Sequence, residues 1–226
     1  GRIHKKIADL GLAKNTVTIF YSDNGGYGPV TDMAPLKGYK GCYYEGGIRV
    51  PLFIHWPESI APGRTDEPVI TVDIYPTLCE LASVETPDQP LDGESLLPLA
   101  MGVDATLGDR PLFWHFPAYL QSYRNTTDEQ RDPLFRSRPC SVVRLGDWKL
   151  HQYFEDGAVE LYNLRDDIGE SKNVAEKNAD KSTELLAVLN KWQTDVHADI
   201  PTTRNPKFKA QKEKQALEKS RSGAPQ

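Results

Sequence analysis

Two clusters in the 226-residue chain set chemistry-bearing side chains among glycines. The first is Asp23-Asn24-Gly25-Gly26, directly after a run of β-branched and aromatic residues. Asp23 offers a carboxylate and Asn24 an amide oxygen, the hard donors that Ca²⁺ or Mg²⁺ prefers, although two oxygens cannot complete a shell of about six. Asp, Asn and Gly are equally the residues of a strand-ending turn. The second cluster runs Leu36-Lys37-Gly38-Tyr39-Lys40-Gly41-Cys42-Tyr43-Tyr44-Glu45-Gly46-Gly47-Ile48-Arg49-Val50-Pro51. A lysine flanked by glycines can be held close to a tetrahedral oxyanion, on which it acts as a point charge. Lys37 reads as a solvated surface charge. Glu45 and Arg49 are four apart and can pair across one helical turn.

The elements that must position these residues follow from periodicity. Ile3, Ile7 and Leu10 fall at helical spacing before Gly11, so the chain opens with an amphipathic helix. Residues 16–21 form a buried strand that ends at the first cluster, and a helix leading into such a strand is half of an α/β unit. Ligands of open α/β sheets sit beyond the carboxyl ends of strands. Residues 52–56 predict another strand. Residues 71–82 predict a helix with Ile74, Leu78 and Leu81 on one face and Pro76 in the first turn, where its missing N–H costs least. A short helix is expected at 95–101, a strand at 109–116 and a long polar surface excursion over 121–139. Residues 141–145, 148–154 and 159–163 predict strands joined by the hairpin signals Gly146-Asp147 and Glu155-Asp156-Gly157. A helix over 181–197, with Leu185, Val188, Leu189 and Trp192 on its buried face, would cover that small sheet. From Thr202 the chain reads as a disordered tail, and no internal repeat is visible.

Composition narrows the class. With 38% apolar residues the chain can bury a real core. A mean hydropathy of −0.54 and the lack of an apolar run near the roughly 20 residues of a membrane span predict a soluble protein. The formal charge of −5 divides into +5 from residue 204 onward and −10 before it. An acidic body argues against a nucleic-acid surface. Cys42, Cys79 and Cys140 are far apart and odd in number, which suits core or surface thiols rather than a disulfide framework or a metal site. The opening Gly1-Arg2-Ile3-His4-Lys5-Lys6 has no apolar stretch behind it, so this form carries no secretory signal, an observation without weight for a piece of a longer protein.

Taken in order, Asn15-Thr16, Asp23-Asn24-Gly25-Gly26, Lys40-Gly41, Glu45-Gly46-Gly47-Ile48-Arg49-Val50-Pro51 and Asp73-Ile74-Tyr75-Pro76-Thr77-Leu78 resemble the carboxy-terminal half of the type I sulfatases, arylsulfatase-like enzymes of the alkaline-phosphatase-like superfamily. The later Leu161-Tyr162-Asn163-Leu164 and Asn173-Val174-Ala175 resemble them too, so the likeness covers about residues 1–200. It implies an α/β fold: part of a mixed sheet with flanking helices over 1–108, a small α+β subdomain over 109–203 and a basic tail over 204–226. It also implies that Asp23 and Asn24 ligate Ca²⁺, with Mg²⁺ the alternative, and that Lys40 contacts the sulfate and stabilises charge on the departing oxygen. Glu45, Gly46, Gly47 and Arg49 would be the scaffold of the Lys40 loop. His115, in Trp114-His115-Phe116, would line the substrate pocket, or else be a histidine packed among aromatics with one hydrogen bond. His4, His55, His151 and His197 show no partner pattern.

The resemblance also marks what the chain lacks. The family's formylglycine arises from Cys or Ser in Cys/Ser-x-Pro-x-Arg, and no cysteine here is followed by Pro at the second position. Ser137-Arg138-Pro139 begins the serine version, but Ser141 stands where Arg is required. The formylglycine, the paired aspartates that complete the metal site and the catalytic histidines are expected upstream. The chain alone is therefore expected to be inactive, with an apolar face exposed where the upstream half packs or where copies self-associate. The expected substrate is an aryl sulfate or a sulfated carbohydrate, and the implied location of a full-length parent is periplasmic or extracellular. Two alternatives stay open: a phosphodiesterase or phosphonate hydrolase of the same superfamily, and a non-catalytic module that binds sulfated glycans.

Overall fold

In the computed structural model, which describes residues 1–102, 106–122, 131, 133–203 and 205–221, α1 (Arg2–Asp9) ends as its sequence predicts. Leu10 caps it, and Gly11 takes φ +69°, a conformation in which glycine has no Cβ to clash. Strand β1 (Thr18–Tyr21) follows. The one-turn helix α2 (Glu45–Ile48) precedes β2 (Leu52–His55), which pairs antiparallel with β1 so that Thr18 faces His55 and Tyr21 faces Leu52. A 3-10 turn, Thr71–Asp73, runs into α3 (Ile74–Leu81), and α4 (Leu97–Ala100) is shorter than expected.

Contacts group these segments into two units. The first comprises Gly1–Ser22 and Pro51–Arg110, the second Asp23–Val50 and Pro111–Gln226. Residues 23–50, expected with the amino-terminal part, thus group with the carboxy-terminal sheet.

In the first unit the inward face of α3 differs from expectation. Asp73, Pro76 and Thr77 are buried, whereas Leu78 is 48% exposed. The cause is Asp73: its carboxylate is fully buried and held by Arg110 at 2.7 and 2.5 Å, so positions 73, 76 and 77 of the helical repeat turn inward together. Ile3, Leu10, Leu12, Phe20 and Phe53 are all exposed, Ile3 by 73% and Phe53 by 64%.

The second unit is built on an antiparallel sheet in the order β3 (Leu112–Phe116), β6 (Cys140–Leu145), β7 (Trp148–Tyr153), β8 (Val159–Asn163). Both predicted hairpins form, with Gly146 at φ +56° and Gly157 at φ +70° making the reversals. The expected surface excursion instead contributes β5 (Phe135–Ser137), paired with β4 (Leu120–Gln121); residues 123–130 and 132 of it lie outside the described residues. Helix α5 (Ala179–Asp195) lays Leu185 and Leu189 on Val143, Leu150 and Leu161, all five fully buried, and stacks Trp192 on Phe113 at 4.6 Å. Each such aliphatic side chain contributes about 1.5–3 kcal/mol by leaving water. The stretch expected to be a disordered tail carries helix α6 (Ala210–Arg221), with Glu213 paired to Arg138 at 3.2 Å.

The sheet's other face is buried as well. Cys140 and Val142 of β6, and Lys149, His151 and Tyr153 of β7, point there. Tyr43 and Tyr44 pack among them. This second covered face positions the site.

Candidate active site

Glycines bring the two sequence clusters together. The Gly25 amide donates to the Gly47 carbonyl at 2.9 Å, and the Lys40 amide donates to the Gly26 carbonyl at 2.9 Å. Asp23, Asn24 and Lys40 are therefore carried on loops joined backbone to backbone. The approach is too close for any side chain. A Cβ on Gly25 would lie 1.8 Å from the Gly46 oxygen, one on Gly46 2.1 Å from the Gly38 oxygen, and one on Gly47 2.1 Å from the Cys42 oxygen.

Asp23 is exposed, with no ion-pair or hydrogen-bond partner among the described residues, and Asn24 is half-buried. Lys40 is exposed, and the Arg136 guanidinium donates to its carbonyl at 3.4 Å. His115 belongs to different surroundings. Its Nδ1 lies 2.7 Å from Ser141 Oγ and its Nε2 3.2 Å from the Asp199 carbonyl, with Trp192 and Phe154 around the ring.

Beneath the Lys40 loop lies a buried charge network. The Glu45 amide donates to Glu170 Oε2 at 2.5 Å. Lys149 Nζ bridges Glu45 Oε1 at 2.9 Å and Glu170 Oε1 at 3.0 Å, and Glu45 Oε2 takes the expected pairing with Arg49 at 3.3 Å. Lys149 and Glu170 are completely buried and Glu45 is 2% exposed. Burial alone would raise Glu170, but the Lys149 charge, the His151 hydrogen bond and the Glu45 amide outweigh it and hold its pKa at about 2. Burial, reinforced by the Lys149 charge, pushes His151 below its ordinary value. A neutral imidazole facing a carboxylate must carry its proton on Nε2, the atom 3.3 Å from Glu170.

A third carboxylate joins the network's rim. Glu160 Oε2 accepts from the hydroxyls of Tyr44 at 2.6 Å, Tyr162 at 3.1 Å and Tyr153 at 3.3 Å. Burial and this anion push all three phenols up, so they remain donors. Lys37, expected to be solvated, is half-buried instead: its ammonium sits 4.1 Å over the Tyr44 ring and donates to the Glu170 carbonyl at 3.4 Å. Burial raises the Cys42 thiol to about 11 and the Cys140 thiol to about 12, which makes both inert core thiols.

For a divalent cation the donor chemistry fits in part. Asp23 supplies an available carboxylate and Asn24 an amide oxygen. Among the described residues no three His, Cys, Asp or Glu side chains gather into a metal centre, so these two are a fraction of a shell.

Residues 39–197 match the model of the family described as N-sulphoglucosamine sulphohydrolase, C-terminal. The chain belongs to this sulfatase family. The protein named Sulfatase from Formosa agariphila is 40% identical over 189 residues, covering 79% of this chain and 32% of the relative. The crystal structure of Ps i-CgsB in complex with k-i-k-neocarrahexaose aligns with a TM-score of 0.70 at 25% identity, covering 100% of this chain and 45% of that one. A phosphonate monoester hydrolase of Agrobacterium radiobacter aligns with a TM-score of 0.62 at 26% identity, covering 91% and 42%. This sulfatase segment therefore spans from about a fifth to under half of the proteins it matches, and its fold is part of the alkaline-phosphatase-like fold.

Sequence reasoning passed over Lys149, His151, Glu160 and Glu170. On β7 the alternation of Trp148, Leu150 and Gln152 with Lys149, His151 and Tyr153 reads as one buried and one wet face. The available signal was Glu45: a carboxylate between a tyrosine and two glycines, on a loop too tight for solvent, needs a buried cation.

Proposed function

We propose that this chain is the carboxy-terminal part of an enzyme that hydrolyses an organic sulfate monoester. The observation that supports it most is the backbone union of the Asp23-Asn24 turn with the Lys40 loop through the Gly25–Gly47 and Gly26–Lys40 hydrogen bonds. Asp23 and Asn24 would hold Ca²⁺, or Mg²⁺ in its place, and the bound cation supplies charge neutralisation to sulfate oxygens. Lys40, exposed on its glycine-flanked loop, places an ammonium against the sulfate and against the charge that develops on the departing oxygen. The formylglycine nucleophile and the remaining metal ligands belong to an upstream half. The exposed apolar side chains of the first unit, Phe20 and Phe53 among them, are the surface such a half would cover. A sulfated carbohydrate or an aryl sulfate suits this site, and the bound oligosaccharide of Ps i-CgsB favours the carbohydrate.

A phosphonate monoesterase is the competing reading, supported by the likeness to the Agrobacterium enzyme. Full-length parent protein assayed on an aryl sulfate, sulfated oligosaccharides and an aryl phosphonate monoester separates the two. Sulfate release with the highest kcat/KM, lost on chelation of divalent metal and restored by Ca²⁺, is expected. A higher kcat/KM on the phosphonate would overturn the sulfatase assignment, and release of sulfate by the 226-residue chain alone would overturn the need for an upstream half.

A further inference from the structure

The Lys40 loop has only one short element of its own, the four-residue α2, and that element is fixed from outside. Its first residue, Glu45, is gripped twice by residues far away in sequence: by Glu170 at its amide and by Lys149 at its carboxylate. From there the connections run through the backbone. The Gly46 amide donates to the Lys37 carbonyl at 2.8 Å, Gly47 accepts from Gly25, and Lys40 donates to Gly26. These links between α2, the Lys40 loop and the Asp23-Asn24 turn are main-chain hydrogen bonds, which transmit a displacement of α2 to Lys40.

Lys149 is the keystone by charge. It is a fully buried ammonium between two buried carboxylates, with oxygens at 2.9 and 3.0 Å on either side. Take it away and Glu45 and Glu170 face each other as like charges without solvent, with only half-exposed Arg49 left on the outer oxygen of Glu45. The cheapest relief is for Glu45, and α2 with it, to move. We infer that Lys149, clamped between Glu45 and Glu170, is a positioning residue that sets where Lys40 meets the substrate anion. This rests on the proposed role of Lys40.

The test is a double-mutant cycle in the full-length parent, with kcat and KM on an aryl sulfate and the melting temperature recorded for wild type, Lys40→Ala, Lys149→Met and the double variant. Loss of an oxyanion-stabilising group costs on the order of 10²-fold in kcat/KM, expected of Lys40→Ala. A misplacement of about 1 Å can cost up to about 10²-fold, and roughly 10-fold, mostly in kcat, is expected of Lys149→Met. The signature is coupling: the double variant should fall no further than Lys40→Ala within about twofold, because a lysine that is gone cannot be misplaced. A lowered melting temperature is expected in either case; a purely structural Lys149 would multiply its loss onto that of Lys40→Ala. Multiplicative losses, or wild-type kcat/KM in folded Lys149→Met, overturn the inference while leaving Lys40 in its role. Wild-type kcat/KM in Lys40→Ala overturns the role of Lys40 itself. Should Lys149→Met give no cooperative melt, the near-isosteric Glu170→Gln, which frees one side of Lys149, enters the same cycle under the same criteria.

Discussion

Each unit of the chain buries a carboxylate completely, and the two are satisfied in opposite ways. In the first unit Asp73 is bound by Arg110 at both oxygens and by the amides of Ile70 at 2.8 Å and Glu94 at 3.0 Å. One anion meets one planar, bidentate cation and two main-chain donors, so the pair is closed and neutral. In the second unit one ammonium, Lys149, serves two carboxylates 125 residues apart, and neutrality is reached only by adding half-exposed Arg49. The first arrangement pins a helix start. The second pins a loop that carries a candidate catalytic lysine, and the difference teaches that the structurally critical charge need not sit on the loop it holds.

Breaking the second arrangement should cost most. Lys149→Met leaves buried Glu45 and Glu170 without the ammonium between them, and removing one partner of a buried ion pair costs about 3–5 kcal/mol. Hydrogen exchange of the β7 and β8 amides reports the loss locally, and an opening free energy unchanged there would contradict the shared-cation account. Acid attacks the same region. Glu170 is held at about 2 in the folded chain against an ordinary 4.5, so its contribution is complete above about 4.5 and fades as pH falls toward 2. The shift corresponds to about 3 kcal/mol. His151, lowered by burial, adds an earlier loss that begins as pH falls below about 6.5, where the unfolded chain takes up a proton that the folded chain refuses. His151→Gln should flatten the earlier part of the pH dependence in chemical denaturation and leave the later part. If the decline between pH 6.5 and 5 is unchanged, His151 is not its source.

The first arrangement should tolerate damage better. Arg110→Met leaves Asp73 two amide donors, so a loss of about 2 kcal/mol is expected, read in exchange of the α3 amides. A loss equal to that of Lys149→Met would erase the contrast. The smallest effect is expected of Thr77→Val: the buried hydroxyl donates to the Asp73 carbonyl at 2.6 Å and accepts from the Leu96 amide at 2.8 Å, and its removal costs about 1 kcal/mol.

The two regions were unequally legible in sequence. Strands β1 and β2, the two hairpins and α5 form where the local pattern places them, with Gly146 and Gly157 at the reversals, but β1, expected to be buried, has no buried residue and leaves Phe20 58% exposed. The close backbone approach of the two loops is carried in the sequence itself by Gly25, Gly46 and Gly47, whereas the roles proposed for Asp23, Asn24 and Lys40 rest on the family resemblance. The inward face of α3 was misjudged because apolar periodicity outranks a single Asp in such patterns, whereas a bidentate Arg makes that Asp the most buried position of the turn. Lys149 and Glu170 were illegible for a related reason: alternation on β7 tells two faces apart but not whether both are covered, and the cover comes from residues 42–45, a hundred positions earlier. Helix α6 was missed because a charged, apolar-poor stretch gives weak periodicity.

The central claim is that the Asp23-Asn24 turn and the Lys40 loop act as one site on a sulfate ester. Its most direct measurement is kcat/KM for sulfate release by the full-length parent with Lys40 intact and with Lys40→Ala. A loss on the order of 10²-fold, with the fold unchanged by circular dichroism, is the predicted result. Sulfate release by Lys40→Ala at the wild-type rate would contradict it.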